Sequence, residues 1–310
     1  MTPPPEPVAS PEPVVPPAAD GDGFVDCACA GGRHWGLHGA AGLLLRDAAR
    51  GAVLLQRRSE SSHMGGTWGI PGGARGAAES ALDAALREAG EEAGVPADAV
   101  APRWWREVDH GPWSYTTVAA DAARAIELGA GNWESAELAW VPVADVAGLE
   151  LHPGFGAAWP ALGSRLGARL TLVVDAANVM GSRPDGWWRD RAGAAARLRD
   201  RLAPLEVLGV PGWAIGWPEF TGFWPEIVLV VEGQAKSLPA PARSGPPAAR
   251  PVKVVKAAGE GDSEIVAQAV QAVARGDIVA AVTADRELRD RLSRAGAATL
   301  TPGALNRLLP

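Results

Sequence analysis

Hydrophobic and polar positions follow two different patterns along the chain, and the pattern changes near the middle. In the first half, the apolar runs GAAGLLL and AVLLQ flank the polar turn RDAARG, which predicts a β-hairpin within residues 38–56. Further strands are expected at RWWREV, WSYTTVAA and LAWVPV, with helices at about 77–93 and 155–162. Strands of this kind with flanking helices indicate an α+β or mixed α/β sandwich.

From Leu170 onward, strands alternate with helices. The run TLVVD is continuously apolar, as is typical of a strand buried in a parallel sheet. This alternation predicts a parallel sheet with helices on both faces. The two patterns therefore predict two domains that join near residues 163–167, a division that 310 residues accommodate. In the second half we expect strands at 213–217, 227–232 and 278–283, and helices at 189–202, 263–275 and 286–295.

The N-terminal segment MTPPPEPVASPEPVVPPAADGD differs from both halves. It lacks the basic start and apolar centre of a secretory signal. Its proline density and acidic character predict a disordered tail over residues 1–23. No apolar run approaches the roughly 18 to 20 residues that cross a membrane. A cytoplasmic location is therefore the expectation.

The net charge of −7 is unevenly distributed. Residues 1–168 hold 11 Lys and Arg against 21 Asp and Glu, whereas residues 169–310 hold 18 against 15. The second half also contains the basic, proline-rich stretch KSLPAPARSGPPAARPVKVVK. Two interpretations follow: the second half binds a polyanion, or this stretch is a solvated linker.

Two cysteines, Cys27 and Cys29, are too few for a disulfide framework. With His34 and His38 downstream, a zinc site is conceivable. The spacing differs from the usual two pairs of ligands separated by a longer loop. Free thiols in a loop are the interpretation that we prefer on the sequence alone.

The helix predicted at 77–93 concentrates acids near its C-terminal end. Glu88, Glu91 and Glu92 fall at i, i+3 and i+4, so their carboxylates share one helix face. Like charges at this spacing destabilise a bare helix, and the helix dipole disfavours anions at that end. A hard divalent cation would reverse the effect, because clustered carboxylate oxygens are the ligands that Mg²⁺ binds. An apolar stripe should hold the helix against the core, at Leu82, Leu86, Ala89 and Ala93.

The spacing of these acids with their neighbours is specific. Gly73, five residues, Glu79, seven residues and then REAGEEAGV, ending in Gly94 and Val95, resembles the Nudix box in full. The aliphatic position after Arg87 and Glu88 is only alanine, a small departure that suggests a tighter core contact. The preceding GGTWGIPGG is also similar to the run that leads into that box. The resemblance covers about residues 24–160.

Membership of the Nudix family would imply hydrolysis of a nucleoside diphosphate linked to another group, with Mg²⁺ or Mn²⁺ as cofactor. The resemblance makes Glu88, Glu91 and Glu92 the metal ligands. It makes Arg87 and Glu79 the pair that orients loop and helix. The general base varies in this family, being a box glutamate or an acid from a later loop; the later candidates here are Glu134 and Glu137.

A second set of acids follows predicted strands in the second half. Asp175 ends the strand TLVVD, and Asp285 lies just past the strand that ends in AAVT. Asp262, in EGDSEIVAQA, is a plausible N-cap of a helix. Open parallel sheets place their sites at the carboxyl edge of the strands, where such acids would meet. Taken singly, each acid is as easily a cap, a turn residue or an exposed charge.

VVDAANV and VTADRELRDR resemble the opening and closing motifs of the NYN branch of PIN-like nucleases, over about residues 169–310. That family binds Mg²⁺ or Mn²⁺ through its acids and cleaves RNA, usually single-stranded. The resemblance maps the acidic site onto Asp175, Asp262 and Asp285. Gly261 stands where some members carry another acid. Secondary positions are Asn178, Glu264 and Asp290.

The predicted architecture is α/β: a Nudix-type α/β/α sandwich with a mixed sheet over residues 24–162, and a PIN-like α/β/α domain with a mainly parallel sheet over 169–310. This architecture allows three functions. In the first, both domains are enzymes; in the second, only the first domain is an enzyme and the second binds RNA. In the third, the first domain senses a nucleotide and regulates the second, but the intact set of metal-site acids disfavours this alternative.

Overall fold

The computed structural model describes residues 20–29, 32–60, 64–129, 134–183, 186–240 and 251–310. Its strands are β1 (Phe24–Asp26), β2 (Arg33–Trp35), β3 (Ala40–Asp47), β4 (Ala52–Arg58), β5 (Trp68–Gly69), β6 (Gly72–Ala74), β7 (Val100–Asp109), β8 (Ser114–Ala122), β9 (Ser135–Pro142), β10 (Leu170–Asp175), β11 (Val210–Pro211), β12 (Gly222–Phe223), β13 (Glu226–Val231), β14 (Lys253–Lys256), β15 (Ile278–Val282) and β16 (Ala298–Leu300). Its α-helices are α1 (Ala81–Ala93), α2 (Pro153–Gly163), α3 (Ala176–Gly181), α4 (Arg191–Leu202), α5 (Leu205–Leu208), α6 (Gly261–Ala274), α7 (Arg286–Arg294) and α8 (Pro302–Leu308).

The first half is built on a mixed sheet. Its strands run in the order β11-β12-β7-β8-β3-β4-β5, with β6 beside β3 and β9 beside β4. Strands β3 and β8 pair in parallel and the other pairs are antiparallel. The predicted hairpin is confirmed, because Arg46 lies opposite Val53 and Asp47 opposite Ala52. A separate two-stranded hairpin of β1 and β2 precedes this sheet.

Helix α1 packs on one face of the mixed sheet. Ser80 caps its start, accepting a hydrogen bond from the Asp83 amide, so the helix begins four residues later than the sequence suggested. Leu82 and Leu86 are only half-buried at the edge of the contact. The small side chains let the helix lie close to the sheet, and its fully buried face consists of alanines: Ala84, Ala85, Ala89 and Ala93.

The opposite face of that sheet shares its hydrophobic core with the second half. Leu44 and Leu55 belong to the same buried cluster as Leu172 and Val174 of β10. The second half also extends the sheet itself, because Phe223 of β12 pairs with Trp104 of β7. The two halves are therefore joined by a continuous core and by shared backbone hydrogen bonds.

The prediction of a strand at 213–217 is wrong. Residues Gly212–Ile215 form a 3₁₀ helix inside the turn between β11 and β12. A Cβ atom at Gly212 would meet the carbonyl oxygens of Trp217 and Phe220, so the chain folds back too tightly there for a strand. The apolar residues of this stretch fill a turn rather than a sheet.

The second half contains a five-stranded parallel sheet, as predicted, in the order β14-β13-β10-β15-β16. Helices α6 and α7 cover one face, where Ile265, Ala269, Leu288 and Leu292 are buried. Strand β10 is central. The chain places β13 and β14 on one side of it and then crosses to place β15 and β16 on the other. The strand order therefore reverses at β10, which places a crevice at its carboxyl end.

The ends of two predicted flexible segments are ordered. Residues 1–19 of the expected tail lie outside the described residues, but residues 20–23 pack onto the fold. The Leu37 amide donates to the Gly21 carbonyl over 2.8 Å, and the Gly36 amide to the Gly23 carbonyl over 2.7 Å. In the basic stretch, Lys236 lies in a 3₁₀ turn and Lys253–Lys256 form β14, whereas 241–250 lie outside the description. The linker interpretation is therefore wrong for the ends of that stretch.

The longest α-helix in the described part of the chain is α6, with 14 residues. None of the described helices is long and apolar enough to cross a bilayer.

Candidate active site and a second acidic site

Arg87 fastens the turn after β6 to helix α1. Its Nε and Nη2 donate to the two carboxylate oxygens of Glu79 over 2.9 and 3.0 Å, and Nη2 also reaches the Ala74 carbonyl at 3.0 Å. Glu79 in turn accepts from the Gly76 amide over 3.0 Å. Hydrogen bonds from Arg87 hold the pKa of Glu79 below its usual value. This two-pronged ion pair fixes both the turn and the orientation of the guanidinium.

The third guanidinium nitrogen of Arg87 faces the acids of the helix. Nη1 lies 2.7 Å from Glu88 Oε1 and 3.4 Å from Glu91 Oε2. The Glu88 side chain is 13% exposed and that of Glu91 is 58% exposed. Glu88 therefore lies inside the site and Glu91 at its rim.

Glu92 is the buried acid of the site, with 2% of its surface exposed. Its Oε2 accepts from the Gly72 amide over 2.8 Å and from Gln56 Nε2 over 3.2 Å. Gln56 is itself held by Ser135, whose hydroxyl donates to Gln56 Oε1 over 2.7 Å. Within the described residues, Glu92 Oε1 has no hydrogen-bond partner. Burial, and then the neighbouring Glu88 carboxylate, raise the pKa of Glu92 to about 8.

At two positions of the motif, the backbone geometry explains why glycine is present. A Cβ atom at Gly73 would lie 2.5 Å from Glu88 Oε1, so only glycine lets the turn lie against that carboxylate. Gly94 ends α1 in the left-handed conformation, with φ of 68°, and its amide bonds back to the last helical turn.

The residues of this site fit a hard divalent cation. A buried carboxylate oxygen without a partner needs a positive group, and burial also raises the pKa of Glu88 beside it. Oxygen donors of this kind suit Mg²⁺ or Mn²⁺. Glu88, Glu91 and Glu92 do not all approach within 4.8 Å of one another, and Arg87 forms ion pairs with Glu88 and Glu91.

The structure separates the two acids of the later loop. The charge of Glu134 acts on Glu88 and Glu92, raising the pKa of both. Glu137 is exposed and lies opposite Arg57, the strand neighbour of Gln56. Neighbouring residues of a strand point to opposite faces, so Glu137 lies on the face away from Glu92. Of the two later acids that the sequence offers as general base, Glu137 is therefore the one that lies away from this site.

The second acidic site lies at the carboxyl end of β10. Asp175 is 4% exposed and caps α3. Its Oδ1 accepts from the Asn178 amide over 3.0 Å, and its Oδ2 accepts from Asn178 Nδ2 over 2.8 Å and from the Thr283 hydroxyl over 2.9 Å. Burial raises the pKa of Asp175, and the charge of Glu232 adds to this effect.

Glu232 accounts for the glycine that departs from the expected motif. Its Oε2 accepts from the Gly261 amide over 2.8 Å, and a Cβ atom at Gly261 would lie 2.6 Å from the same oxygen. A strand-end acid thus occupies the space beside Asp262. Asp262 is in the first turn of α6, whose N-cap is Glu260, so its predicted role as N-cap is wrong.

The acids near Asp175 act on one another electrostatically. Burial, and then the charges of Asp175 and Asp285, raise the pKa of Asp262. Asp285 caps α7 through the Leu288 amide, and its own amide donates to Thr283. Two secondary candidates stand apart from these contacts: Glu264 accepts from Gln268 within α6, and Asp290 is exposed on α7.

Sequence reasoning missed several groups at the two sites. Glu232 follows the apolar run IVLVV just as Asp175 follows TLVV, so the same strand-end rule would have found it. Gln56 ends the apolar run AVLL, and a polar residue in that place was the available signal. Thr283 carries no such signal, because its role depends on β10 and β15 lying side by side.

The mixed sheet, the glycine-rich turn and the carboxylates of α1 define a mixed α/β domain with an acidic site on one helix. Residues 36–160 match the model of the NUDIX domain. A putative 8-oxo-dGTP diphosphatase 3 from Mycobacterium tuberculosis is 47% identical over 152 residues, which are 46% of this chain and 69% of that protein. The chain therefore belongs to the Nudix family.

Two further relatives match a similar share of the chain. A nucleoside triphosphate pyrophosphatase/Nudix hydrolase fusion protein from Bifidobacterium longum is 45% identical over 154 residues, covering 47% of this chain and 32% of that protein. The chain thus spans about a third of that relative's length. The crystal structure of a Nudix hydrolase from M. smegmatis, RenU, is 49% identical and covers 46% of this chain and 94% of that one, with a TM-score of 0.42.

In protein freed of divalent cations, Glu92→Gln should raise the free energy of unfolding at pH 8 and change it little near pH 5. The folded-state pKa of about 8 lies above the ordinary 4.5, so the folded protein holds this proton more tightly. The contribution of Glu92 to wild-type stability is then fully present below pH 4.5 and is lost as pH rises toward 8, by on the order of a few kcal/mol. Glutamine removes this titration.

Urea unfolding of both proteins between pH 5 and 8 measures the difference. Glu91→Gln is the matched control, since that carboxylate lies on the same helix face but is exposed, and its pH profile should follow the wild type. Parallel profiles for wild type and Glu92→Gln would contradict the prediction.

Proposed function

We propose that residues 36–160 hydrolyse the diphosphate linkage of a nucleoside diphosphate derivative with Mg²⁺ or Mn²⁺. The observation that carries this proposal is the buried Oε1 of Glu92, which lies beside Glu88 and has no hydrogen-bond partner among the described residues. Glu88, Glu91 and Glu92 would hold the cation. When bound, such a cation neutralises the diphosphate, polarises phosphorus and lowers the pKa of an attacking water.

The surrounding residues hold this arrangement in place. Arg87 and Glu79 fix the turn against α1, so the backbone that faces the substrate is rigid. The Gly72 amide and Gln56 orient Glu92 through its Oε2 and leave its other oxygen free for a ligand. We assign removal of the proton from the attacking water to Glu134, the later acid whose charge acts on this site.

The relative from M. tuberculosis suggests where substrate screening should start. Its name describes a diphosphatase acting on 8-oxo-dGTP, a purine nucleoside triphosphate. Release of nucleoside monophosphate should therefore be measured first with purine nucleoside triphosphates, their oxidised forms included, and then with other nucleoside diphosphate derivatives.

Glu92→Gln should lower kcat by about 10²-fold or more on whichever nucleotide the wild type hydrolyses. Loss of a cation ligand removes several kcal/mol of transition-state stabilisation. Monophosphate release with Mg²⁺ and with Mn²⁺ measures the effect. The control is Asp83→Asn, an exposed acid of the same helix whose carboxylate accepts from the Ser80 hydroxyl, and its rate should stay near that of the wild type. Unchanged turnover by Glu92→Gln would refute the proposed site.

Glu134→Gln should lower kcat by about 10²- to 10⁴-fold with little change in KM, as expected for loss of a general base. Glu137→Gln is the matched control, because Glu137 lies three residues further on and faces away from Glu92. Its kcat should match the wild type. The reverse result, with Glu137→Gln impaired and Glu134→Gln active, would restore Glu137 as the base.

We further propose that residues 169–310 form a domain of the NYN/PIN-like type that acts on single-stranded RNA with Mg²⁺ or Mn²⁺. The supporting observation is that acids from four segments act on one another electrostatically near the point where the strand order reverses. Burial and mutual repulsion raise the pKa of Asp175 and Asp262, so a divalent cation would stabilise the group. The acids are Asp175, Glu232, Asp262 and Asp285.

A cavity beside this site has the chemistry to hold a nucleotide. It measures about 190 Å³ and is lined by Glu232, Trp187 and Arg191 among others. The Arg191 guanidinium lies 5.4 Å from the centre of the Trp187 ring. An aromatic face can stack on a base and an arginine can bind a phosphate, which is the usual pairing for single-stranded nucleic acid.

Two alternatives share this geometry. The second half binds RNA without cleaving it, or nucleotide bound in the first half controls the second half. The continuous core and the shared sheet at β7 and β12 provide a physical connection for such control. Because both sites contain the acids that metal-dependent catalysis needs, we favour two enzymes over a first half that senses a nucleotide and regulates the second.

Asp175→Asn should reduce cleavage of single-stranded RNA by about 10²-fold or more, because it removes the central charge of the acidic group. Asp290→Asn, an exposed acid of the same half, is the control and should cleave as the wild type does. Wild-type protein that leaves RNA intact with both metals would refute the nuclease. If the wild-type protein also fails to bind RNA, the hypothesis that the second half is an RNA-binding module is refuted.

A further inference from the structure

Four side chains that bind soft metals well meet at one end of the mixed sheet. They are Cys27, Cys29 and His34 of the β1–β2 hairpin, and His110 in the turn between β7 and β8. Their sulfur and ring-nitrogen atoms all lie within 4.8 Å of one another. In the described part of the chain, no other group of at least three His, Cys, Asp or Glu side chains is this compact.

The hairpin backbone brings the two sulfur atoms together. The Cys27 amide donates to the Gly32 carbonyl over 2.9 Å, and the Gly32 amide donates back to the Cys29 carbonyl over 3.0 Å. The Cys29 amide points at Cys27 Sγ, 3.2 Å away. His34 pairs with Val25 across the hairpin, and its Nε2 lies 2.9 Å from Cys29 Sγ. Three potential ligands thus share one short hairpin.

The fourth side chain comes from a distant turn, which stacked rings hold against the hairpin. The His34 ring stacks on Trp113 at 4.1 Å and on His110 at 5.0 Å. The His110 amide donates to the Trp113 carbonyl, and Trp113 Nε1 donates to the Trp35 carbonyl over 3.0 Å. These contacts bring His110 to Cys27, 83 positions away in the chain.

We propose that Cys27, Cys29, His34 and His110 bind one Zn²⁺ ion. Tetrahedral zinc takes Zn–S bonds of about 2.3 Å and Zn–N bonds of about 2.0 Å, so its ligand atoms lie roughly 3.3 to 3.8 Å apart. A group already within 4.8 Å reaches that spacing through small side-chain rotations. Sulfur and imidazole donors favour Zn²⁺, whereas the carboxylates on α1 favour Mg²⁺ or Mn²⁺.

The site is structural rather than catalytic. Two thiolates and two imidazoles fill all four positions of a tetrahedral ion and leave none for water or substrate. On binding, each cysteine thiol releases its proton to solvent, so the ion is held by two thiolates and two neutral rings. Its effect is to fix the N-terminal hairpin to the β7–β8 turn. This assignment differs from the sequence-based preference for free thiols, and its fourth ligand is His110 rather than His38.

The full-length chain, purified in reductant without chelator, should contain on the order of one zinc ion per molecule by elemental analysis. Cys29→Ser and His110→Ala should each lower that content about tenfold or more. His38→Ala is the matched control, since His38 is an exposed histidine of the same segment outside the cluster, and it should retain zinc. Glu92→Gln should also retain zinc, which separates this site from the one on α1.

Cobalt titration of the reduced, zinc-free wild type tests the site without relying on variants. Tetrahedral thiolate ligation should give strong visible d–d bands and a thiolate-to-cobalt charge-transfer band, and added zinc should abolish them. Absence of these bands together with absence of zinc would overturn the proposal. So would equal zinc content in Cys27→Ser/Cys29→Ser and wild type. Loss of zinc in His38→Ala with retention in His110→Ala would overturn the ligand assignment.

Discussion

The burial of one carboxylate, Glu92, is the constraint on which the rest of the first half depends. A charged or protonated acid that is 2% exposed must have polar partners, and Gly72 and Gln56 supply them to only one of its oxygens. The glycine turn must therefore lie directly against the helix, which explains the pair of Arg87 with Glu79. The alanine face of α1 follows as well, because a bulkier face would lift the acid out of reach of β4.

The two halves of the chain are less separate than their sequence patterns suggest. One hydrophobic core contains Leu55 of the first sheet and Leu172 of the second, and strand β12 pairs with β7 across the division. Arg169, at the start of the second half, also lies 3.5 Å from the buried Asp121 of β8. Each half therefore contributes to the stability of the other, and a change at one site has a packed route to the other.

Much of the fold could be read from local pattern. The alternation of strands and helices after Leu170 gave the parallel sheet, and the spacing from Gly73 to Gly94 gave the turn, the helix and its acids. Errors arose where distant residues decide the outcome. The apolar stretch at 213–217 forms a turn in which Gly212 lies against the backbone carbonyls of Trp217 and Phe220, and no period in the sequence records that contact. Glu137 falls on the face away from Glu92 because it pairs with Arg57, the strand neighbour of Gln56, and the sequence does not record that pairing.

The sequence by itself determined the family, the acids of α1 and the strand-end acids of the second half, because spacing along a helix or strand fixes which side chains share a face. Tertiary structure decided what those side chains meet. It placed Glu232 against Gly261, Glu134 rather than Glu137 near Glu92, and His110 rather than His38 beside the two cysteines. These pairings join residues that are far apart in the chain, and only the packing of whole elements brings them together.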